Sequence, residues 1–97
     1  MKLLFHPLFK SDLDDAVEYH NLQREGLGDE LRLEVEQVVS NITKDPERHR
    51  KVYNEVRRAK LSRFKLYSIR YQCIAEGIYY LSLFHSSRHP NTGRDRN

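Results

Sequence analysis

Tryptophan is absent from this chain of 97 residues, which also holds only one cysteine, one methionine, three prolines and four glycines. A lone thiol, Cys73, cannot build a disulfide framework or a multi-cysteine zinc site. No apolar run approaches the roughly 20 residues that a membrane-spanning helix needs. The start, Met1-Lys2-Leu3-Leu4-Phe5-His6-Pro7, has one lysine and a short apolar stretch and falls far short of a signal peptide. There are no internal repeats and no low-complexity linker. The length suits one domain and leaves no room for a second catalytic lobe. A globule of this size buries about 60–70% of its unfolded surface, so its core is thin and a bound partner can add much of its stability. These absences predict a single cytoplasmic domain over residues 1–97, without a cofactor or a membrane contact, in which 89–97 form a flexible polar tail.

What the chain does have is charge, unevenly placed. Charged residues make up 32% of it, yet the net charge is only +3. Residues 1–49 carry six bases against eleven acids, a net of −5, whereas residues 50–97 carry eleven bases against three acids, a net of +8. A basic half of this kind attracts polyanions or acidic partners by Coulomb steering; the bland alternative is a solvated basic face.

The patterning predicts an α+β fold. Lys2 to Phe5 read as a strand stopped by His6-Pro7. A helix follows, beginning either at Pro7, whose missing N–H costs nothing in a first turn, or at Ser11 with Asp14 as a capping pair. Its apolar side is Phe9, Leu13, Ala16, Val17 and Tyr19 or His20, and its acids are expected near the N-terminus, where the helix dipole favours them. Gly26-Leu27-Gly28 breaks this helix, Asp29 is a candidate cap for the next, and Leu31, Val35, Val38, Val39 and Ile42 continue at helical spacing until Asp45-Pro46. Two amphipathic helices joined this way form an antiparallel hairpin. Beyond Val52 the period changes. Val56 to Leu61 form a basic strand, Leu66 to Ile74 put Tyr67, Ile69, Tyr71 and Cys73 on one face, and Ile78 to His85 form a further strand across the Ala75-Glu76-Gly77 turn. The expected order is β-α-α-β-β-β, with the helix hairpin on one face of a small curved antiparallel sheet.

Arg57, Arg58, Lys60, Arg63, Lys65 and Arg70, with Arg88, Arg94 and Arg96 beyond them, are interleaved with Phe64, Tyr67, Tyr71, Tyr79, Tyr80 and Phe84. Arginine forks suit phosphate and aromatic faces stack on unpaired bases, but Tyr67 and Tyr71 share parity with Ile69 and are expected in the core. Arg58 and Lys60 share parity and project from one face. A metal-free ribonuclease needs a base, a cation for the phosphorane and an acid; His85, Lys60, Arg63, Arg88 and His89 are of those types. Equally, His85 can simply end a strand by bonding a backbone carbonyl. His85 and His89 lack a third metal ligand, no Ser-His-Asp signature is present, Gly26-Leu27-Gly28 is not a phosphate loop, and Asp14, Asp15 and Glu18 form a solvated helix face.

Taken in order, His6-Pro7 before a helix with Asp12-Leu13, Gly26-Leu27-Gly28, Val56-Arg57-Arg58, Arg63-Phe64 before a Tyr-rich strand, and Leu83-Phe84-His85-Ser86-Ser87-Arg88-His89-Pro90 resemble the RelE/ParE superfamily, toxins of type II toxin–antitoxin systems. The resemblance covers nearly the whole chain and is closer to the ParE-like, plasmid-stabilisation branch. It implies two helices on a small curved sheet, a cognate antitoxin that wraps the toxin, and growth inhibition through DNA gyrase without bond chemistry. On that reading Arg57, Arg58, Arg63 and Arg88 contact the target and His85 shapes the strand end. The alternative is the RelE-like activity, ribosome-dependent mRNA cleavage, with His85, Arg63, Arg88 and Lys60 as the catalytic set. Two departures are plain: no tyrosine follows Tyr80, where RelE-like members carry a C-terminal acid–base residue, and Lys65 stands where many relatives have proline.

Overall fold

The computed structural model of the chain describes residues 1–87. The predicted tail, with Arg88 and His89, lies outside the described residues. His6 decides where the first helix begins. Its Nδ1 accepts the Leu8 N–H at 3.0 Å and Pro7 opens the helix, so the Pro7 start holds and the Ser11 start does not. The acids expected near the N-terminus begin only at Asp12, beyond the first turn, which contains none. Asp14 instead receives Lys10 at 2.8 Å and Arg32 at 3.4 Å. The bond from Lys10, helped by Arg32, holds its carboxyl below the ordinary carboxylate value.

The elements are β1 (Lys2–Phe5), α1 (Pro7–Gln23), α2 (Leu27–Lys44), β2 (Lys51–Tyr53), β3 (Val56–Lys60), β4 (Tyr67–Ile74) and β5 (Gly77–His85). The expected order therefore stands, with one short strand, β2, added. The five strands lie in the order β1-β5-β4-β3-β2. Neighbours from β2 to β5 are antiparallel, whereas β1 runs parallel to β5, Lys2 opposite Gly77 and Phe5 opposite Tyr80. The sheet is thus mixed, because the helix hairpin carries the chain back before the hairpin strands begin.

Two close approaches fix the joints. Gly28 donates its N–H to Asn21 Oδ1 at 2.7 Å, and a Cβ there would collide with the Val17 carbonyl; only glycine lets α2 cross α1 so tightly. Gly77 sits equally close to the Lys2 backbone, which β1 presses against it. Asp29 is not the cap of α2: Gly26, in the left-handed region, ends the turn early, and Asp29 and Glu30 fall in the first helical turn, where the dipole favours them.

One face of the sheet holds the core. Phe9, Leu13, Ala16 and Val17 from α1 and Leu31, Val35 and Ile42 from α2 pack on Ala59, Tyr67, Ile69, Tyr71, Ile78, Tyr80 and Leu83. His20 rather than Tyr19 turns inward; its Nε2 lies 3.2 Å from the Tyr67 hydroxyl, while Tyr19 is 49% exposed. The two deepest phenols reach backbone carbonyls, Tyr71 donating to Pro46 at 2.7 Å and Tyr80 to Val39 at 3.1 Å. Burial pushes the Tyr80 phenol up to about 12 and raises Tyr71 as well. Among the described residues no helix is long and apolar enough to cross a membrane.

Candidate functional site

The opposite face of the sheet is not covered by the helices, and strand parity decides what stands on it. In β3, Ala59 points into the core, so Arg58 and Lys60 point away, as their shared parity predicts. Across the ladder Arg58 pairs with Arg70 and Lys60 with Ser68; those two in turn pair with Ser82 and Phe84 of β5. Two rows result, Arg58–Arg70–Ser82 and Lys60–Ser68–Phe84, with cross-strand side chains about 5 Å apart. Like charges face each other at Arg58 and Arg70, and Arg70 lies over the Phe84 ring at 4.1 Å from its centroid, an arrangement that offsets part of the repulsion.

Two shallow hollows meet at Phe84. One is walled by His6, Leu8, Tyr53, Arg70, Leu81 and Ser82; the other by Arg58, Lys60, Lys65, Leu66, Ser68 and Ser86. The first is mostly apolar and aromatic, the second cationic. Among the described residues no carboxylate pairs with Arg58, Lys60 or Lys65. This surface therefore projects uncompensated positive charge beside an aromatic floor, which suits an acidic partner or a polyanion.

The arginines singled out from the sequence do not converge here. Arg57 points the other way: its Nη1 donates to the Glu47 and His49 carbonyls at 2.9 and 2.7 Å and so ties down the segment before β2. Arg63 sits in the β3–β4 turn and pairs with Glu30 of α2, its guanidinium 5.3 Å from the Phe64 ring centroid. Arg88 lies outside the described residues. Of the three expected target contacts among the described residues, only Arg58 stands on the open face.

The ribonuclease set is dispersed in the same way. Lys60 is on the open face, but His85 pairs with Tyr67 across the ladder and meets its ring edge-on at 4.6 Å, on the helix side. The strand end itself is closed by the Ser86 N–H, which donates to the Leu66 carbonyl at 2.9 Å. His6, the histidine that does line the open face, already accepts the Leu8 N–H. No group of three or more metal-ligating side chains occurs among the described residues.

Sequence reasoning missed what positions the face. Glu34 of α2 accepts the N–H groups of Ser62, Arg63 and Phe64 at 2.8, 3.0 and 3.1 Å, a carboxylate seated in a backbone nest. It fixes the turn that presents Lys65. Asp12 of α1 accepts the Leu83 N–H at 3.2 Å, where β1 has ended and β5 has no strand on that side. Arg70 and Phe84 were visible as cluster members but not as partners, because the ladder slips a register between Arg70 and Tyr71, leaving Leu81 extra. Tyr80 and Phe84 have the same parity in sequence and face opposite sides.

Comparison of the sequence with family models and with curated proteins finds no match. Solved structures do resemble it. A chain of the "Chromosomal ParDE TA system from P. aeruginosa" superposes with a TM-score of 0.77 at 15% identity, covering 88% of this chain and 95% of that one. A chain of the RelB-RelE antitoxin-toxin complex from Methanococcus jannaschii gives 0.55 at 16% identity, covering 92% and 96%. Spanning both partners of each comparison almost end to end, the likeness establishes that this chain shares the α+β fold of those two chains.

Proposed function

We propose that the chain is the toxin of a type II toxin–antitoxin pair, that a cognate antitoxin holds it inactive in the cytoplasm, and that the free chain arrests growth by binding DNA gyrase through its open sheet face. The toxin reading rests on the fold and on the ordered motifs, and the higher TM-score to the ParDE chain favours that branch. The observation that carries the choice of a docking protein over a nuclease is the separation of His85 from Lys60 and Arg58 by the thickness of the sheet. General acid–base work on a ribose needs those groups within hydrogen-bond reach of one phosphate. Docking on an acidic protein surface needs only the cations.

In this reading Arg58 and Lys60 are the principal target contacts, with Lys65 at the rim and Arg70 supporting them from the floor. Arg63, paired with Glu30 of α2, and Arg57, bonded to the Glu47 and His49 carbonyls, act through the segments they fix.

The test is a supercoiling assay with purified gyrase and the purified chain. Inhibition is expected, with RNA left intact, and Arg58→Glu should weaken it about 10–100-fold, as loss of a charge-assisted contact does. Codon-phased cleavage of translated mRNA with supercoiling unaffected would overturn the gyrase reading, and a loss of about 100-fold in His85→Ala would then identify the histidine as an acid–base group.

A further inference from the structure

The two edges of the sheet are guarded very differently. β2 is three residues long, carries a register shift and places Lys51 in an ion pair with Glu55, devices that discourage strand addition. At the other edge β1, four residues long, pairs without a register shift, and its one charged residue, Lys2, forms no ion pair among the described residues. Of the nine large apolar residues that are exposed in the described part of the chain, five lie in its first eight positions: Met1, Leu3, Leu4, Phe5 and Leu8. All four residues of β1 are exposed.

The hydrogen-bond directions along β1 follow from two contacts. Lys2 donates its N–H to the Glu76 carbonyl at 3.0 Å and His6 donates to Tyr80 at 2.9 Å. Even-numbered backbone groups therefore point to β5, and those of Leu3 and Phe5 point out of the sheet. That outward pattern is its own complement. In an antiparallel pair of identical strands centred on Leu4, Leu3 meets Phe5 of the second copy and Phe5 meets its Leu3, which satisfies four outward groups on each strand.

We propose that β1 is a dimerisation edge, at which two copies of the chain pair antiparallel through Leu3–Phe5 about a two-fold axis at Leu4 and join their sheets into one of ten strands. The pairing is isologous and closes on itself. It brings Met1 of each copy beside the Pro7-Leu8 end of the other. Complete burial of these five side chains on both copies would bring the interface to at most about 1,000 Å² in total, the lower limit for a specific contact. The charge at the edge is confined to its ends, where Lys2 of each copy stands opposite His6 of the other, and β5 and β4 separate it from the basic strand β3. The inference is independent of the toxin reading.

Sedimentation equilibrium of the purified full chain should show a reversible monomer–dimer transition. Leu4→Lys, which sets two ammonium groups against each other on the axis, should weaken the dimer at least about tenfold. A cysteine on the axis gives a second readout, because directly opposed residues of a non-hydrogen-bonded pair lie about 4.5 Å apart at Cα, within disulfide range. In a Cys73→Ser background, Leu4→Cys should oxidise to a covalent dimer and Leu33→Cys, an equally apolar exposed site on α2, should not. If Leu4→Lys does not fold, the cysteine pair decides alone. A chain that stays monomeric at millimolar concentration overturns the proposal. So does a dimer that neither weakens in Leu4→Lys nor links through Leu4→Cys, because it would use another surface.

Discussion

The two faces of the β3–β4–β5 ladder draw on the same residue types, aromatics and hydroxyls, and use them in opposite ways. On the helix side Tyr67, Tyr71 and Tyr80 are all but inaccessible, at 4%, 0% and 0% exposure, and the hydroxyls of Tyr71 and Tyr80 end on main-chain carbonyls. On the open side Phe84 lies under Arg70, and Arg58, Lys60 and Lys65 extend into solvent. Arg57 and Arg58 show the division within one dipeptide. One closes two carbonyls of a loop, and the other carries charge outward. A basic residue in this chain therefore takes its role from its strand face rather than from its place in a basic run.

The sharpest way to break that comparison is to truncate one aromatic on each side. Tyr80→Ala should cost about 3–5 kcal/mol, the usual range for removing a large buried side chain, and it also leaves the Val39 carbonyl without its donor. Phe84→Ala should cost about 1 kcal/mol or less. Urea denaturation would measure both, and equal losses would show that the open face is a second core. On the proposed function, Phe84→Ala should instead weaken gyrase inhibition, since it removes the surface on which Arg70 rests.

Next in size is the latch between the faces. Glu34→Ala leaves three N–H groups of the β3–β4 turn without their acceptor and should destabilise the chain by about 1–3 kcal/mol. Hydrogen exchange at Ser62, Arg63 and Phe64 should accelerate more than exchange in β4. Uniform acceleration would mean that Glu34 acts on global stability alone and does not position Lys65.

Much of this architecture was legible in the sequence, and the exceptions have physical reasons. The two helices, β1, β3, β4 and β5 announced themselves because amphipathic period and glycine breaks are local signals. β2 did not, since three residues with a register shift carry no alternation. The inward tyrosines followed from parity with Ile69, and Arg58 from parity with Lys60. Parity cannot place Phe84, because a residue inserted on β5 reverses the count, and it was the resemblance that set Arg57 among the target contacts, whereas its neighbours in sequence say nothing about the Glu47 and His49 carbonyls. Glu34 and Asp12 carry no local signal of their roles, because their backbone partners lie 28 to 30 and 71 residues away. The resemblance to toxins agreed with the order of elements already read from the patterning, but it could not say which arginines share a surface.

Within the arginine pair the expected effects are smaller and cross over. Arg57→Ala should cost about 1–2 kcal/mol through its two carbonyl bonds, whereas Arg58→Ala should leave stability within about 0.5 kcal/mol. Inhibition of gyrase should respond in the reverse order once each variant is assayed well below its unfolding temperature. If Arg57→Ala proves the more damaging to inhibition of the two at full folding, the face assignment is wrong.

The smallest expected effect sits where the two faces join. His49 precedes β2, and its ring meets Tyr71 edge-on at 6.1 Å while its carbonyl accepts Arg57. Burial holds its imidazole pKa below the ordinary value of 6.5, and the positive charge of Arg48 and Arg57 adds to that, against a smaller opposing pull from Asp45. The unfolded chain therefore takes up this proton at higher pH than the folded one does. The neutral ring favours folding above pH about 6.5, and that contribution is lost as the pH falls through the depressed folded value. A denaturation series between pH 7.5 and 5 should show stability falling with acid, and His49→Asn should flatten the slope without moving the midpoint at pH 7.5 by more than the loss of ring contacts with Tyr71. A variant as acid-sensitive as the parent would assign the slope to another group, leaving His49 as part of the loop that Arg57 holds and nothing more.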